Sequence, residues 1–189
     1  MTSNDAGGFF SRTFGGGIYI GGGTATISNS TLSGNRASSF GTGGGIANGG
    51  RLTINNSTIS GNSAFRQGGG ISAGNATIQN SIFANNSGGN CNGAVSSNGF
   101  NLSSDGTCTF NGPGDLNKTN PKLGALQNNG GPTQTMALLP GSPAIDAGNP
   151  SGCTDGSGHL LKTDQRGMPR PDPEDSGGCD MGAYESQSD

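Results

Sequence analysis

The sequence has no tryptophan, one histidine and one valine, and no aspartate or glutamate between Asp5 and Asp105. Leu, Ile, Val and Phe together number 29 of 189 residues, about 15%, below the roughly 20% at which disorder becomes the default expectation. No apolar run approaches the roughly 18 residues of a membrane-spanning helix, so membrane insertion is excluded. There is no basic cluster. Nine Lys and Arg against 12 Asp and Glu, a net charge of −3, exclude nucleic acid and anionic lipid as partners. No helix-length stretch of strong helix formers occurs, so helices should be few and short. The single His159 and the lack of Cys-x-x-Cys leave no zinc ligand set, and His159 reads as a solvated loop residue. The first residues lack the basic and apolar regions of a secretory signal, which leaves two expectations, a cytoplasmic chain or a fragment whose true start lies upstream.

What is abundant is glycine, and it is periodic. Its 39 residues with nine prolines make about a quarter of the chain. Gly15-Gly16-Gly17-Ile18 recurs as Gly43-Gly44-Gly45-Ile46 and Gly68-Gly69-Gly70-Ile71. Each block leads into a related run: Thr26-Ile27-Ser28-Asn29-Ser30-Thr31-Leu32-Ser33-Gly34-Asn35, then the run from Thr53 to Asn62, then the run from Thr77 to Asn86. Insertions between blocks fall around Ala37 to Thr42. Within a block the apolar residues alternate with small polar ones, as at Leu52 and Ile54, which is the period of a half-buried strand. Short strands separated by Gly or Asn corners at a period near 25 describe the coils of a parallel β-helix, stacked about 4.8 Å apart. Stacking predicts inner columns of Ile27, Ile54 and Ile78 and of Leu32, Ile59 and Phe83. Asn35, Asn62 and Asn86 should form a corner column, passing hydrogen bonds between layers and taking the left-handed conformation. The expected class is all-β, a single right-handed β-helix over residues 1–110, with repeats near 15–42, 43–67 and 68–110. Phe100, Leu102 and Phe110 should fill the last coil.

Residues 111–189 contain all nine prolines, a density that breaks helix and ladder alike, and read as a loop-rich cap on the last coil. Ten of the 12 carboxylates lie between Asp105 and Glu185. The four cysteines allow three connectivities. Pairing Cys91 with Cys108 and Cys153 with Cys179 closes loops short enough for local staples and favours an oxidising, extracellular setting.

The C-terminal motifs include Asn129-Gly130-Gly131-Pro132-Thr133, Leu139-Pro140-Gly141-Ser142-Pro143-Ala144-Ile145-Asp146-Ala147-Gly148, Thr163-Asp164-Gln165-Arg166-Gly167 and Cys179-Asp180-Met181-Gly182-Ala183-Tyr184-Glu185. This series resembles the choice-of-anchor Q domain, and the repeats are similar to bacterial right-handed parallel β-helix surface proteins. The resemblance implies a secreted or surface-displayed protein held by a sorting segment beyond the domain. The chain ends at Asp189 without one, in keeping with an excised domain.

Many β-helices cleave polysaccharides, which takes a carboxylate pair or a carboxylate-bound cation with a base. The coils offer only Arg36, Arg51 and Arg66 as charged groups after Arg12, so catalysis on their sides is not expected. Asp164, Arg166, Arg170, Asp180 and Glu185 read as ion pairs that lock the cap, with a carbohydrate-active site there as the alternative. Asp172, Glu174 and Asp175 are weak candidates for calcium, and no other cofactor is expected. Thr26, Thr53 and Thr77, and likewise Thr31 and Thr58, should project outward, an array that ice binding would use. The sequons at Asn29 and Asn56 are no more than chance in an Asn-rich repeat. The expected function is a non-enzymatic extracellular module, structural or adhesin-like, with a glycan or cell-surface ligand or end-to-end self-association near Phe9, Phe10 and Phe14 as further options.

Overall fold

The computed structural model describes residues 1–6, 14–38, 40–173 and 178–187. Phe9 and Phe10 lie outside them, and so do Glu174 and Asp175. Among the described residues sixteen short strands and no helix are present. After β1 (Asp5–Ala6), the first coil runs through β2 (Ile18–Ile20), β3 (Thr24–Ser28), β4 (Thr31–Ser33) and β5 (Arg36–Ala37). The second repeats it as β6 (Ile46–Asn48), β7 (Arg51–Asn55), β8 (Thr58–Ser60) and β9 (Ser63–Ala64). In the third, one long strand β10 (Ile71–Gln79) does the work of two and is followed by β11 (Ile82–Ala84). The fourth has β12 (Cys91–Ser97) and β13 (Leu102–Ser103). One further rung, β14 (Leu116–Asn117), precedes an antiparallel pair, β15 (Leu123–Gln127) with β16 (Thr135–Leu138).

All pairs between coils are parallel and form three sheets: β1-β5-β9; β2 and β3 with β6, β7, β10 and β12; and β4-β8-β11-β13-β14. The predicted columns are in register: Ile27, Ile54 and Ile78, and Leu32, Ile59 and Phe83. Ile54, Ile59, Ile78 and Phe83 are fully buried, and a third column of Ile18, Ile46, Ile71 and Cys91 lies beside them. A core this narrow is filled by few large side chains, which is how 15% of such residues suffices. Leu102 and Phe110 are buried as expected, whereas Phe100 is half-buried and belongs to a second cluster with Ile82, Leu102, Leu138, Ala144 and Met181.

The glycine triplets answer two demands. Gly43 has φ +71°, where a side chain is strained. Gly44 is needed for space, because a Cβ there would stand 2.2 Å from the Ser63 carbonyl oxygen of the same coil.

Asn35, Asn62 and Asn86 form the expected ladder, Nδ2 to Oδ1 at 2.9 and 3.0 Å, and it is longer than predicted: Asn4 donates into its start (2.9 Å) and Asn90 extends its end (2.9 Å). Their corner conformation differs from expectation. The left-handed residues are the preceding Gly34, Gly61 and Asn85, together with Asn29, Asn56 and Asn80 on another corner. Turning the chain one residue early leaves the ladder side chains aimed inward, where they meet carbonyls as well as each other. A second ladder runs Ser30, Ser57, Ser81 and Asn101, each backbone N–H donating to the next side chain. The first two carboxylates after Asp5 terminate the ladders: Asp105 accepts from Asn90 N (3.0 Å) and Asp115 from Asn101 N (2.8 Å).

Beyond β14 the chain turns back and runs along the side of the stack, touching every coil. Asn29 Nδ2 donates to Thr163 O, Asn56 Nδ2 to Thr154 O, and Asn149 N to Asn80 Oδ1. Cys108 and Phe110 close the last coil from within, Phe110 meeting Phe83 edge-on at 6.0 Å. Both staples form as local pairs, Cys91–Cys108 and Cys153–Cys179.

Candidate functional site

The return segment carries the five charged residues singled out by sequence, and the fold brings all of them together below the surface. Asp164 is 3% exposed, Arg166 9%, Arg170 2%, Asp180 1% and Glu185 0%. Arg166 Nε donates to Asp164 Oδ2 (2.8 Å) and Arg170 Nε to Glu185 Oε2 (2.6 Å). Most of the remaining hydrogen bonds go to backbone. Asp164 accepts from the amides of Arg166, Met168 and Glu185; Asp180 from those of Asp146 and Ser186; Glu185 from that of Asp180. Arg166 also donates to the carbonyls of Asn129 and Glu185, with its guanidinium 3.7 Å over the Tyr184 ring. Arg170 reaches across to Asn29 Oδ1 on the first coil (3.0 Å). Among the described residues, Arg170 Nη2 and Glu185 Oε1 are buried without a hydrogen bond.

Burial sets the protonation here. It pushes Asp180 up to about 7, with the Glu185 charge adding to the rise and two backbone amides opposing it. Burial likewise raises Glu185, against the pull of Arg170. A carboxyl with a folded pKa near 7 and an unfolded one near 4 holds its proton longer in the native state, so its contribution to stability is full below pH 4, declines up to about pH 7 and is flat above. Three pH units correspond to at most about 4 kcal/mol. Thermal melts should therefore show wild type losing more stability between pH 5 and 8 than Asp180→Asn; parallel losses would remove Asp180 as the cause. Asp105 goes the other way: burial raises it, but hydrogen bonds from Thr107, Asn90 and Ser103 outweigh this and lower it.

The remaining candidates fare unequally. Asp172 is buried and has an interaction partner, its proposed companions lie outside the described residues, and no set of three metal-type side chains occurs among those described. Thr26, Thr53 and Thr77 share an outward column, Thr26 exposed and the others half-buried. Thr31 and Thr58, expected at the solvent face, are 3% and 1% exposed because the return segment covers them: Thr31 Oγ1 donates to Gln165 Oε1 (2.7 Å) and Ala183 N to Thr58 Oγ1 (3.1 Å). Ile82, which breaks that Thr column, is the apolar anchor for Met181 and Ala144. The sequon Asn56 is fully buried.

Arg36, Arg51 and Arg66 are all exposed on the coils. His159 is exposed and pairs with Asp155 (3.1 Å). Four aromatic side chains are also exposed: Phe14, named above for end-to-end association, stacks on Tyr19 at 5.6 Å, and Phe40 meets Phe65 at 5.2 Å; Tyr19, Phe40 and Phe65 carry no role assigned from the sequence. The signal for Tyr19 was present in the repeat, which puts Ala47 and Ser72 at the same register.

No curated protein and no solved structure matches the chain. A family model described as a right handed beta helix region matches residues 5–129, well over half of the chain and the part that forms the stacked coils, and the chain belongs to that family.

Proposed function

We propose that this chain is a non-enzymatic extracellular or cell-surface module, structural or adhesin-like, built as one continuous right-handed solenoid with a side-bound C-terminal segment of the choice-of-anchor Q type. The observation that carries the reading is the fate of the carboxylates. The coils have none between Asp5 and Asp105, and in the return segment both oxygens of Asp164 and of Asp180 and one oxygen of Glu185 are held by two arginines and by backbone amides. A carboxylate so engaged fastens a loop; a catalytic pair needs a face open to substrate. Two disulfides fit an oxidising compartment.

The test is release of reducing ends or unsaturated products from a panel of plant, bacterial and algal polysaccharides. Wild type, Asp164→Asn and Asp180→Asn are expected to release none, while both variants melt at lower temperature. Cleavage by wild type that either substitution abolishes would replace this reading with a carbohydrate-active enzyme whose site lies in the C-terminal segment.

A further inference from the structure

Tyr19, Ala47, Ser72 and Asn92 stand in register across four coils on β2, β6, β10 and β12. The pleat turns this column away from the one that buries Ile46 and Ile71. Its first member is large and the next two are small, so the outer face of the sheet has a step. Tyr19 is 60% exposed and Phe14 47%, in a chain with only ten aromatic residues. Their rings stack at an interplanar angle of 25°, and the Tyr19 ring passes over Gly21, where even a Cβ would touch it at 3.4 Å. The tyrosine is thus held on two sides while much of it stays open. Beneath it lies a hollow of about 180 Å³, floored by Ala47 and Gly49 and edged by Ser72. The Ser72 hydroxyl accepts from Asn92 Nδ2 (3.3 Å), which leaves its proton to donate.

We infer that this step is a subsite for one neutral pyranose ring of an oligosaccharide, its C–H face laid on the Tyr19–Phe14 pair and a hydroxyl bonded to Ser72. The electron-rich face of an aromatic ring attracts the weakly positive C–H edge of a sugar. Among the described residues no charged side chain lines the hollow, which favours a neutral ligand over phosphorylated and uronic ones. Its volume is below the roughly 300 Å³ of sites for drug-sized ligands, and a second protein would need about 800 Å² of contact per partner, far more than one step offers. The subsite gives the surface module a ligand class without depending on the absence of catalysis.

With no tryptophan, emission comes from Tyr19 and Tyr184, of which only Tyr19 lines the hollow, so a ligand-dependent change that Tyr19→Phe removes belongs to Tyr19. The full chain is titrated with maltohexaose, cellohexaose, xylohexaose and N-acetylchitohexaose, with hexagalacturonate as the charged control. At least one neutral hexamer should change the emission saturably and bind more tightly than hexagalacturonate. By calorimetry, Tyr19→Ala should weaken that binding about tenfold or more and Tyr19→Phe should keep it within about threefold. Tyr19 packs on the outside, so both variants should melt with the wild type, which separates lost binding from lost folding. Silence with all four neutral hexamers, tighter binding of hexagalacturonate, or binding indifferent to Tyr19→Ala would each overturn the inference. The non-enzymatic reading would survive any of them, since it is decided by cleavage.

Discussion

Replacing Arg170 by methionine is expected to cost about 3–5 kcal/mol, because it leaves the fully buried Glu185 with no cation at the oxygen Arg170 held at 2.6 Å. The same change removes the donor to Asn29 Oδ1, a tie between the return segment and the first coil 141 residues away in sequence. Loss should show in denaturant unfolding and in earlier proteolysis of the segment beyond β16. Two features distinguish a broken ion pair from lost packing. Glu185 is already pushed up by burial; without Arg170 it rises further, so the variant's deficit should be greatest at pH 8 and shrink at pH 5, where Glu185 takes a proton. Adding Glu185→Gln should restore at least half of the loss, since Gln keeps an acceptor for the Asp180 amide without the charge. A loss under about 1 kcal/mol in Arg170→Met, equal at both pH values, would mean that the pair does not fasten the segment.

The coils were legible because stacking repeats one constraint. Every layer asks for apolar residues at the same offsets, so Ile27, Ile54 and Ile78 announce a column in the sequence alone, and a spacing of 24–28 residues fixes what lies above what. Conformation at a single corner is a weaker signal. Asn serves equally as an inward ladder rung at Asn62 and as a left-handed turn residue at Asn56, and its side-chain chemistry suits both. The clue was one position earlier, where Gly34, Gly61 and Asn85 alternate between the two residue types that tolerate positive φ.

The charged cluster was readable as a set of pairs, because Asp, Arg and Glu in a proline-rich stretch with no repeat have few uses besides locking loops. Where that stretch lies was not readable. An irregular chain has no period to betray its covered face, and the decision is made by contacts such as Gln165 on Thr31 and Met181 on Ile82. Ile82 held the information: the column runs Thr31, Thr58, Ile82, Leu102 and Leu116, and the change from threonine to apolar residues marks the spot where something apolar arrives. The ladder-ending roles of Asp105 and Asp115 follow from the same logic of edges, since the last amide in a stack needs an acceptor that no further coil supplies.

That logic makes the middle of the asparagine ladder its most sensitive point. Asn62 Oδ1 accepts from both the amide and the side chain of Asn35, and its Nδ2 donates to Asn86 Oδ1 and to the Leu32 carbonyl (3.0 Å). Asn62→Ala takes the acceptor from the buried Asn35 amide and a donor from the Leu32 carbonyl, at about 1–3 kcal/mol each, while Asn35 Nδ2 keeps Met1 O (3.2 Å) and Asn86 Oδ1 keeps the residue-62 amide (2.9 Å), so a total of about 3 kcal/mol is expected. Asn4 sits at the exposed end of the same ladder, and water can replace what Asn4→Ala removes, so that variant should lose about 1 kcal/mol or less. Asn62→Asp separates shape from hydrogen bonding. It is nearly isosteric, but at neutral pH it sets an acceptor against Asn86 Oδ1 and buries a charge. Its carboxyl pKa is therefore raised, and stability should be poorest above neutrality and recover as the pH falls and the acid regains a proton to donate. If Asn4→Ala and Asn62→Ala cost the same, or if Asn62→Asp is indifferent to pH, the ladder contributes only by filling space and the coils hold together through their apolar columns alone.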